Sequence, residues 1–426
     1  MNEVKPGPPR EPDDTHIRMP WARSDGLVPR TVLRPLQEFL DTSIAGSVLL
    51  LGAVVVALLW ANSPWSESYA RLWETHLSLQ IGDALDLDKD LRFWVNDGLM
   101  ALFFLVVGLE IKREVISGEL RRLRAAILPV MAAIGGMAVP ALVYLAVAGG
   151  GETGRGWGIP MATDIAFALG ALTLAARYAP PTLKPLLLTL AIADDIGAIL
   201  VIAIFYTGGI EWGALAGAVL VVVLVVVAAR EHVRAQVLYV ALGVILWYLT
   251  YRAGIHPTIA GVVLGLVTPA VPLQRPKAVS AEAHRIADET EDEPDPPDAD
   301  DHWWMRLAWL SREAVSPMAR TEHALLPWTS FVILPLFALA NAGVQLSVRS
   351  ITDAATGAVG IGIFLGLVLG KPLGVALGSI AATKTGLGRL PEDVGWGDLA
   401  GMGFTAGIGF TVALFIAELA FPDGPL

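Results

Sequence analysis

From about residue 44 onward the chain alternates long apolar runs with short polar ones. Runs near 20 residues, enough to cross about 30 Å of hydrocarbon as a helix, fall at about 44–62, 94–111, 125–147, 157–176, 183–206, 211–229, 235–251, 254–270, 325–345, 357–382 and 398–421. Eleven such runs predict an all-α polytopic membrane protein, with the transmembrane domain over 44–421. Alternating strand-sized segments dominate nowhere, which argues against a β-barrel.

Three stretches depart from this pattern. Residues 1–43 form a polar, Pro-rich tail with six Lys or Arg, too long a lead-in for a secretory signal peptide. In the connection 63–92, Leu77, Leu79 and Ile81 alternate up to Gly82-Asp83, and Leu85 and Leu87 follow, predicting a β-hairpin. It either caps the bundle or pairs subunits, since a lone hairpin is marginal; the expected partners are therefore the lipid bilayer and a second copy of the chain. The connection 271–324 carries an acidic stretch, 281–302, with ten acids against Arg285 and the Pro-rich run Glu293 to Asp298, which predicts a disordered insertion. After it, Trp303, Leu307, Leu310 and Ala314 share one helical face, predicting a helix along the membrane surface.

Charge sets the orientation. With the N-terminus inside, the cytoplasmic segments hold 23 Lys or Arg and the outer ones 6, Lys371 lying within a span. This is the positive-inside pattern, so the tail and 271–324 are expected in the cytoplasm. Composition agrees: 54% of residues are hydrophobic, 17% are charged, and mean hydropathy is +0.58. The net charge of −11 is no sign of an acidic protein throughout, because 281–302 alone supplies −9. Without cysteine, disulfide, iron–sulfur and thiol chemistry are excluded, and neither a cofactor nor a nucleic-acid partner is expected.

The informative charges are those inside the spans. Asp194 and Asp195 sit side by side near the middle of the run 183–206, where each carboxylate costs about 2.5–3.5 kcal/mol on an insertion scale. Lys371 lies mid-span in 357–382 and Asp164 a little off centre in 157–176. Burial favours the neutral form of each group alone, whereas Lys371 and one Asp packed together can ionise and offset each other. The second Asp points about 100° away around the helix, free for a cation or proton. Gly156 to Pro160 followed by Thr163-Asp164 in one span, and Gly401, Gly403, Gly407 and Gly409 in the last, mark interrupted helices of the kind found at transporter sites. An anionic Asp164 suits the positive end of a half-helix, and a cationic Lys371 the negative end. Two protonatable groups at one cation site permit two protons per Na+, an electrogenic exchange. A structural ion pair, an intramembrane aspartyl protease and a cation channel fit less well; the alternative kept is a sodium- or proton-coupled solute symporter.

Ala162-Thr163-Asp164-Ile165-Ala166-Phe167-Ala168, Ala193-Asp194-Asp195-Ile196-Gly197-Ala198 and Gly370-Lys371-Pro372-Leu373-Gly374 resemble signature segments of the NhaA-type sodium/proton antiporters. So do Asn96 to Met100, Gly108 to Glu114, Phe337 to Gly343 and Gly407 to Thr411, and the likeness runs in order over about residues 40–421. The resemblance implies the inverted-repeat fold with two broken, crossing helices, for which this family is itself a type example. It implies a transporter, not an enzyme, of a prokaryotic inner membrane, serving pH and sodium homeostasis and active at alkaline pH. It implies Na+ or Li+ at Asp195 with Asp194 alongside, Lys371 pairing with Asp194 when no cation is bound, and Asp164 and Thr163 where the broken helices cross. Glu110, Glu114, Glu322 and His323 at the cytoplasmic side, and His256 near the outer surface, are implied in the pH response. For His256 an interfacial residue beside Pro257 and Thr258 is an equal alternative, and Asp97 is supporting. Family members usually carry a twelfth helix, so one is expected beyond residue 426.

Overall fold

A computed structural model of the chain describes residues 45–81, 85–175, 179–233, 235–291 and 301–421. The tail 1–43, the hairpin turn and the Pro-rich run after Glu291 lie outside them. The chain enters with α1 (Ala45–Ala61), turns through 116° into the short α2 (Ser66–Trp73), and forms the hairpin β1 (His76–Ile81) and β2 (Leu85–Asp90). The strands are antiparallel, with Leu79 opposite Leu87 and Ile81 opposite Leu85, as the alternation predicts. Across the hairpin, the Ser78 hydroxyl donates to Asp88 Oδ1 at 2.7 Å and His76 Nδ1 lies 3.2 Å from the same oxygen. These contacts, Ser78 first, hold the Asp88 carboxyl below its ordinary range.

The bundle follows: α3 (Met100–Ser117), entered through a π-turn at Trp94–Leu99, then α4 (Leu123–Ala148), a 3-10 segment at Thr153–Met161, α5 (Ile165–Ala175), α6 (Leu183–Phe205), α7 (Trp212–Arg230), α8 (Gln236–Arg252) and α9 (Thr258–Val267). On the connection lie α10 (Pro276–Glu291) and α11 (Asp301–Glu313). The second half is α12 (Pro317–Trp328), continued by a π-turn into α13 (Leu334–Asn341); α14 (Val348–Thr356); α15 (Ala358–Leu365), continued by a π-turn into α16 (Lys371–Lys384); α17 (Trp396–Ala406) and α18 (Phe410–Ala420). Among the described residues five helices are long and apolar enough to cross a membrane: Arg124–Ala148, Leu183–Phe205, Trp212–Arg230, Pro317–Asn341 and Ala358–Lys384. The runs at 157–176 and 398–421 are not continuous helices. Residues 162–164 are extended between the 3-10 segment and α5, and α17 and α18 are bent by 50° at their break. The glycines and Pro160 that mark both runs have the expected consequence.

Close backbone packing holds the centre together. A Cβ added to Gly374 on α16 would stand 3.0 Å from Gly136 Cα on α4, and one on Gly136 would lie 3.7 Å from Lys371 Cε. The small residues thus let α16 lie against α4 and leave room for the Lys371 side chain between them. At the lipid-facing periphery the reverse holds: Val237 is 82% exposed and Leu59 68%, which only a hydrocarbon solvent makes tolerable.

Two expectations for 271–324 need correction. Residues 281–291, placed in a disordered insertion, belong to the helix α10. Helix-forming residues precede the first proline of the acidic run, Val279 and Ile286 fall on one face and are buried, and Arg285 pairs with Glu282 at 2.8 Å. In α11 the face bearing Trp303, Leu307 and Leu310, expected to turn toward the membrane surface, turns instead toward the preceding helix. It packs on α10, with the Arg285 guanidinium 5.1 Å from the Trp303 ring and Arg306 bound to Glu282 at 3.1 Å.

Candidate functional site

The break at 162–164 and the break between α17 and α18 touch each other beside α6 and α16. Asp164 N donates to Ile408 O at 2.7 Å. The Asp164 carboxylate, buried, accepts from Phe167 N at 3.1 Å through Oδ1. Through Oδ2 it accepts from Thr411 N at 3.2 Å and Thr411 Oγ1 at 2.6 Å. Phe167 lies in the first turn of α5 and Thr411 in the first turn of α18, so one carboxylate meets unpaired amides at two helix N-termini. Anionic charge is favoured there by the helix dipole and by the orphan N–H groups.

Lys371 supplies the opposite arrangement. Its side chain is fully buried, and Nζ donates to Met161 O at the C-terminal end of the 3-10 segment. Nζ also lies 2.8 Å from Asp194 Oδ2, with both side chains 0% exposed. Thr163 Oγ1 is 2.6 Å from the same Asp194 oxygen and 2.9 Å from Ala406 O, its one proton set between two acceptors. A buried charge pair needs this density of hydrogen bonds to offset the loss of hydration.

Asp194 Oδ2 is thus fully engaged, whereas Asp194 Oδ1 and Asp195 Oδ1 are buried without a hydrogen-bond partner among the described residues. Adjacent on one helix, the two side chains present unshared carboxyl oxygens beside Lys371. Hard oxygen donors of this kind suit an alkali cation or a proton.

Of the residues singled out in the sequence, Thr163, Asp164, Asp194, Asp195 and Lys371 come together here. Glu110, on the neighbouring α3, is also an electrostatic neighbour of Asp195; the other pH-response candidates lie apart from this cluster. Glu114 is buried and accepts from Glu119 N at 2.8 Å and Thr189 Oγ1 at 3.1 Å, beside a cavity of about 270 Å³ that Arg121 and Arg122 also line. Glu322, buried, is bound to Arg113; Glu110 lies one turn from Glu114 on α3, and His323 is exposed. His256 sits elsewhere: Nε2 is 3.4 Å from Asp97 Oδ1, and Nδ1 is 2.9 Å from Thr258 Oγ1. Its side chain is 12% exposed and its ring packs edge-on against Phe415, so it is partly buried. Asp97 and Glu114 are 17 residues apart along one helical run, about 25 Å.

Several polar residues at these places carried no assigned role in the sequence. Thr411 and Thr189 complete the contacts above. Asn96 and Asn341 exchange amide hydrogen bonds at 3.1 and 2.7 Å. Glu418, the one acid in the apolar run Phe410–Ala420, has a buried oxygen without a partner among the described residues; its isolation in that run was the available signal.

The model of the family described as Na+/H+ antiporter 1 matches residues 37–425. The chain belongs to this family. Among curated relatives, Na(+)/H(+) antiporter NhaA 2 of Sorangium cellulosum (strain So ce56) is 47% identical over 404 residues, 93% of this chain and 85% of the relative. Na(+)/H(+) antiporter NhaA 2 of Myxococcus xanthus (strain DK1622) is 47% identical over 401 residues, 92% of this chain and 84% of its own. Na(+)/H(+) antiporter NhaA of Syntrophobacter fumaroxidans (strain DSM 10017 / MPOB) is 44% identical over 401 residues, again 92% of this chain and 85% of the relative. Membership of the antiporter family makes this chain a membrane transporter and not an enzyme.

Proposed function

We propose that this antiporter-family chain exchanges cytoplasmic Na+ or Li+ for external protons at Asp194 and Asp195, moving two protons per cation and working best at alkaline pH. The observation that carries the reading is the buried pair on α6, with one carboxylate oxygen held by Lys371 and Thr163 and two oxygens unshared. Sodium gives up its hydration shell only to anionic oxygens, so it requires an ionised Asp. At low internal pH protons occupy the site and exclude it. As internal pH rises the site ionises, the cation enters from the cytoplasm, and the loaded protein turns outward. Outside, protons displace the cation and the protonated carrier returns. Either the two aspartates or Asp195 with Lys371 carry the protons.

One net charge then crosses per cycle, worth about 2.3 kcal/mol per 100 mV. Alternating access is read as rocking of one helix group on another, in an inverted-repeat fold whose broken helices cross where Asp164 meets Thr411. Glu110, Glu114, Glu322 and His323 form the cytoplasmic pH-responsive set, and His256 with Asp97 a second, outward one. The membrane is a prokaryotic inner membrane with the N-terminus in the cytoplasm, a reading supported by the charge bias. The exposed Leu77 and Leu79 of the hairpin support its role in pairing two copies.

The test is sodium-gradient-driven pH change in sealed proteoliposomes from pH 6 to 9, with voltage clamped and then free, for wild type beside Asp195→Asn. The expected result is exchange that rises with pH, responds to voltage and is lost in the variant. Sustained sodium-driven proton flux in Asp195→Asn would remove the site from the reading.

A further inference from the structure

Three features of α11 meet on one side of the cytoplasmic connection. Its partner-facing side, Trp303, Leu307 and Leu310, is taken up by α10, yet the opposite side is also apolar. Trp304 is 53% exposed, Met305 71% and Trp309 49%, with Ala308 and Arg312 on the same face and exposed. A two-turn stretch with apolar side chains on both sides, one of them covered by no helix among the described residues, is poorly matched to water. The helix is also tied to the membrane-embedded part. Gln274 N donates to Glu313 O at 3.0 Å, Met318 N donates to Pro269 O at 3.1 Å, and only residues 314–316 separate α11 from the spanning helix that starts at Pro317. Around this anchored end Arg275, Lys277 and Arg312 are all exposed.

We infer that the Trp304–Met305–Trp309 face of α11 docks on the anionic headgroup layer of the cytoplasmic leaflet, with α10 riding on its far side. Tryptophan rings sit favourably at the boundary between headgroups and acyl chains, and exposed cations beside them pair with anionic lipid. The inference rests on the cytoplasmic placement of 271–324 in the reading above. It makes the connection a lipid-sensing attachment joined to the spanning helix α12 through residues 314–316.

The chain has no cysteine, so single thiols report cleanly. Nitroxide labels at Met305→Cys, Trp309→Cys and, as the water-facing reference, Ala281→Cys on the exposed side of α10 would be compared in full-length protein. The vesicles would be phosphatidylcholine with or without phosphatidylglycerol. With phosphatidylglycerol present, the Met305 and Trp309 labels should collide with a water-soluble nickel chelate at least about threefold less often than the Ala281 label. The difference should shrink without anionic lipid. Nickel access equal to that of Ala281 in anionic vesicles would overturn the inference, as would dipolar broadening at Met305, which would mean a second copy covers the face. Sidedness is read separately, with a membrane-impermeant thiol reagent on Ala281→Cys in inside-out and right-side-out vesicles. Labelling from the outer side would sink the topology while the nickel result still judges lipid docking.

Discussion

Helices α6 and α7 follow one another in the chain and both satisfy the length and hydropathy of a membrane span, yet they occupy opposite environments. Of the apolar window of α6, 61% is buried inside the protein, against 22% for α7. Helix α7 shows Val219, Leu220 and Val223 outward, each more than half exposed, a surface that lipid wets without cost. Helix α6 hides both aspartates and Leu183, Leu187 and Leu190, and its Asp194 carboxylate is met by Lys371 and Thr163 rather than by lipid. Apolar character alone does not separate a lipid-facing helix from one at the centre. The charged pair does, because hydrocarbon tolerates carboxylates only where protein supplies the partners.

That contrast can be tested by substitution at both places. The largest effect is expected at Asp195→Asn, which should abolish exchange in proteoliposomes while the purified protein unfolds no more easily than wild type. A variant that lost its fold would mean the carboxylate is structural. Next is Lys371→Ala, which leaves Asp194 buried beside a lost cation and should destabilise the protein by about 3–5 kcal/mol. Asp194→Asn added to it should recover most of that loss. Denaturation in detergent measures both, and equal stability of the single and double variants would show that the pair is not coupled.

Smaller, and independent of charge, is Gly374→Leu at the contact of α16 with α4. Forcing the helices apart should cost about 1–3 kcal/mol and slow exchange, because Lys371 lies on the same helix. The smallest is Val223→Ala on α7, expected within about 0.5 kcal/mol of wild type with an unchanged pH profile. A large loss there would mean that α7 has a protein neighbour, and would dissolve the contrast with α6.

Much of the site was legible because polar residues in apolar runs are conspicuous. Asp164, Asp194, Asp195 and Lys371 stood out on cost alone, and the glycines and Pro160 located both breaks. The β-hairpin followed from alternation across Gly82-Asp83. What periodicity missed was of two kinds. In α10 acidic composition predicts disorder, although Val279 and Ile286 share a helical face and Arg285 offsets Glu282. In α11 both faces are apolar, and the pattern by itself does not tell which one a neighbouring helix takes. For His256 the chain pattern does not show its neighbours: it lies 3.4 Å from Asp97, 159 residues earlier, and packs on Phe415 from the far end of the chain.

By itself the sequence determined that this is a helical membrane protein with a fixed charge bias, two interrupted spans and buried carboxylates, since each is a local matter of transfer energy and backbone propensity. Only the tertiary structure decided which oxygen of which aspartate Lys371 takes, that Asp164 meets the N-termini of both α5 and α18, and that Asp194 and Asp195 keep unshared oxygens. Those outcomes depend on ångström-scale approach between segments some 200 residues apart, as between Asp194 and Lys371 or Asp164 and Thr411. Hydrogen bonds and ion pairs are short-ranged and directional, so no pattern along the chain encodes them until the helices have packed.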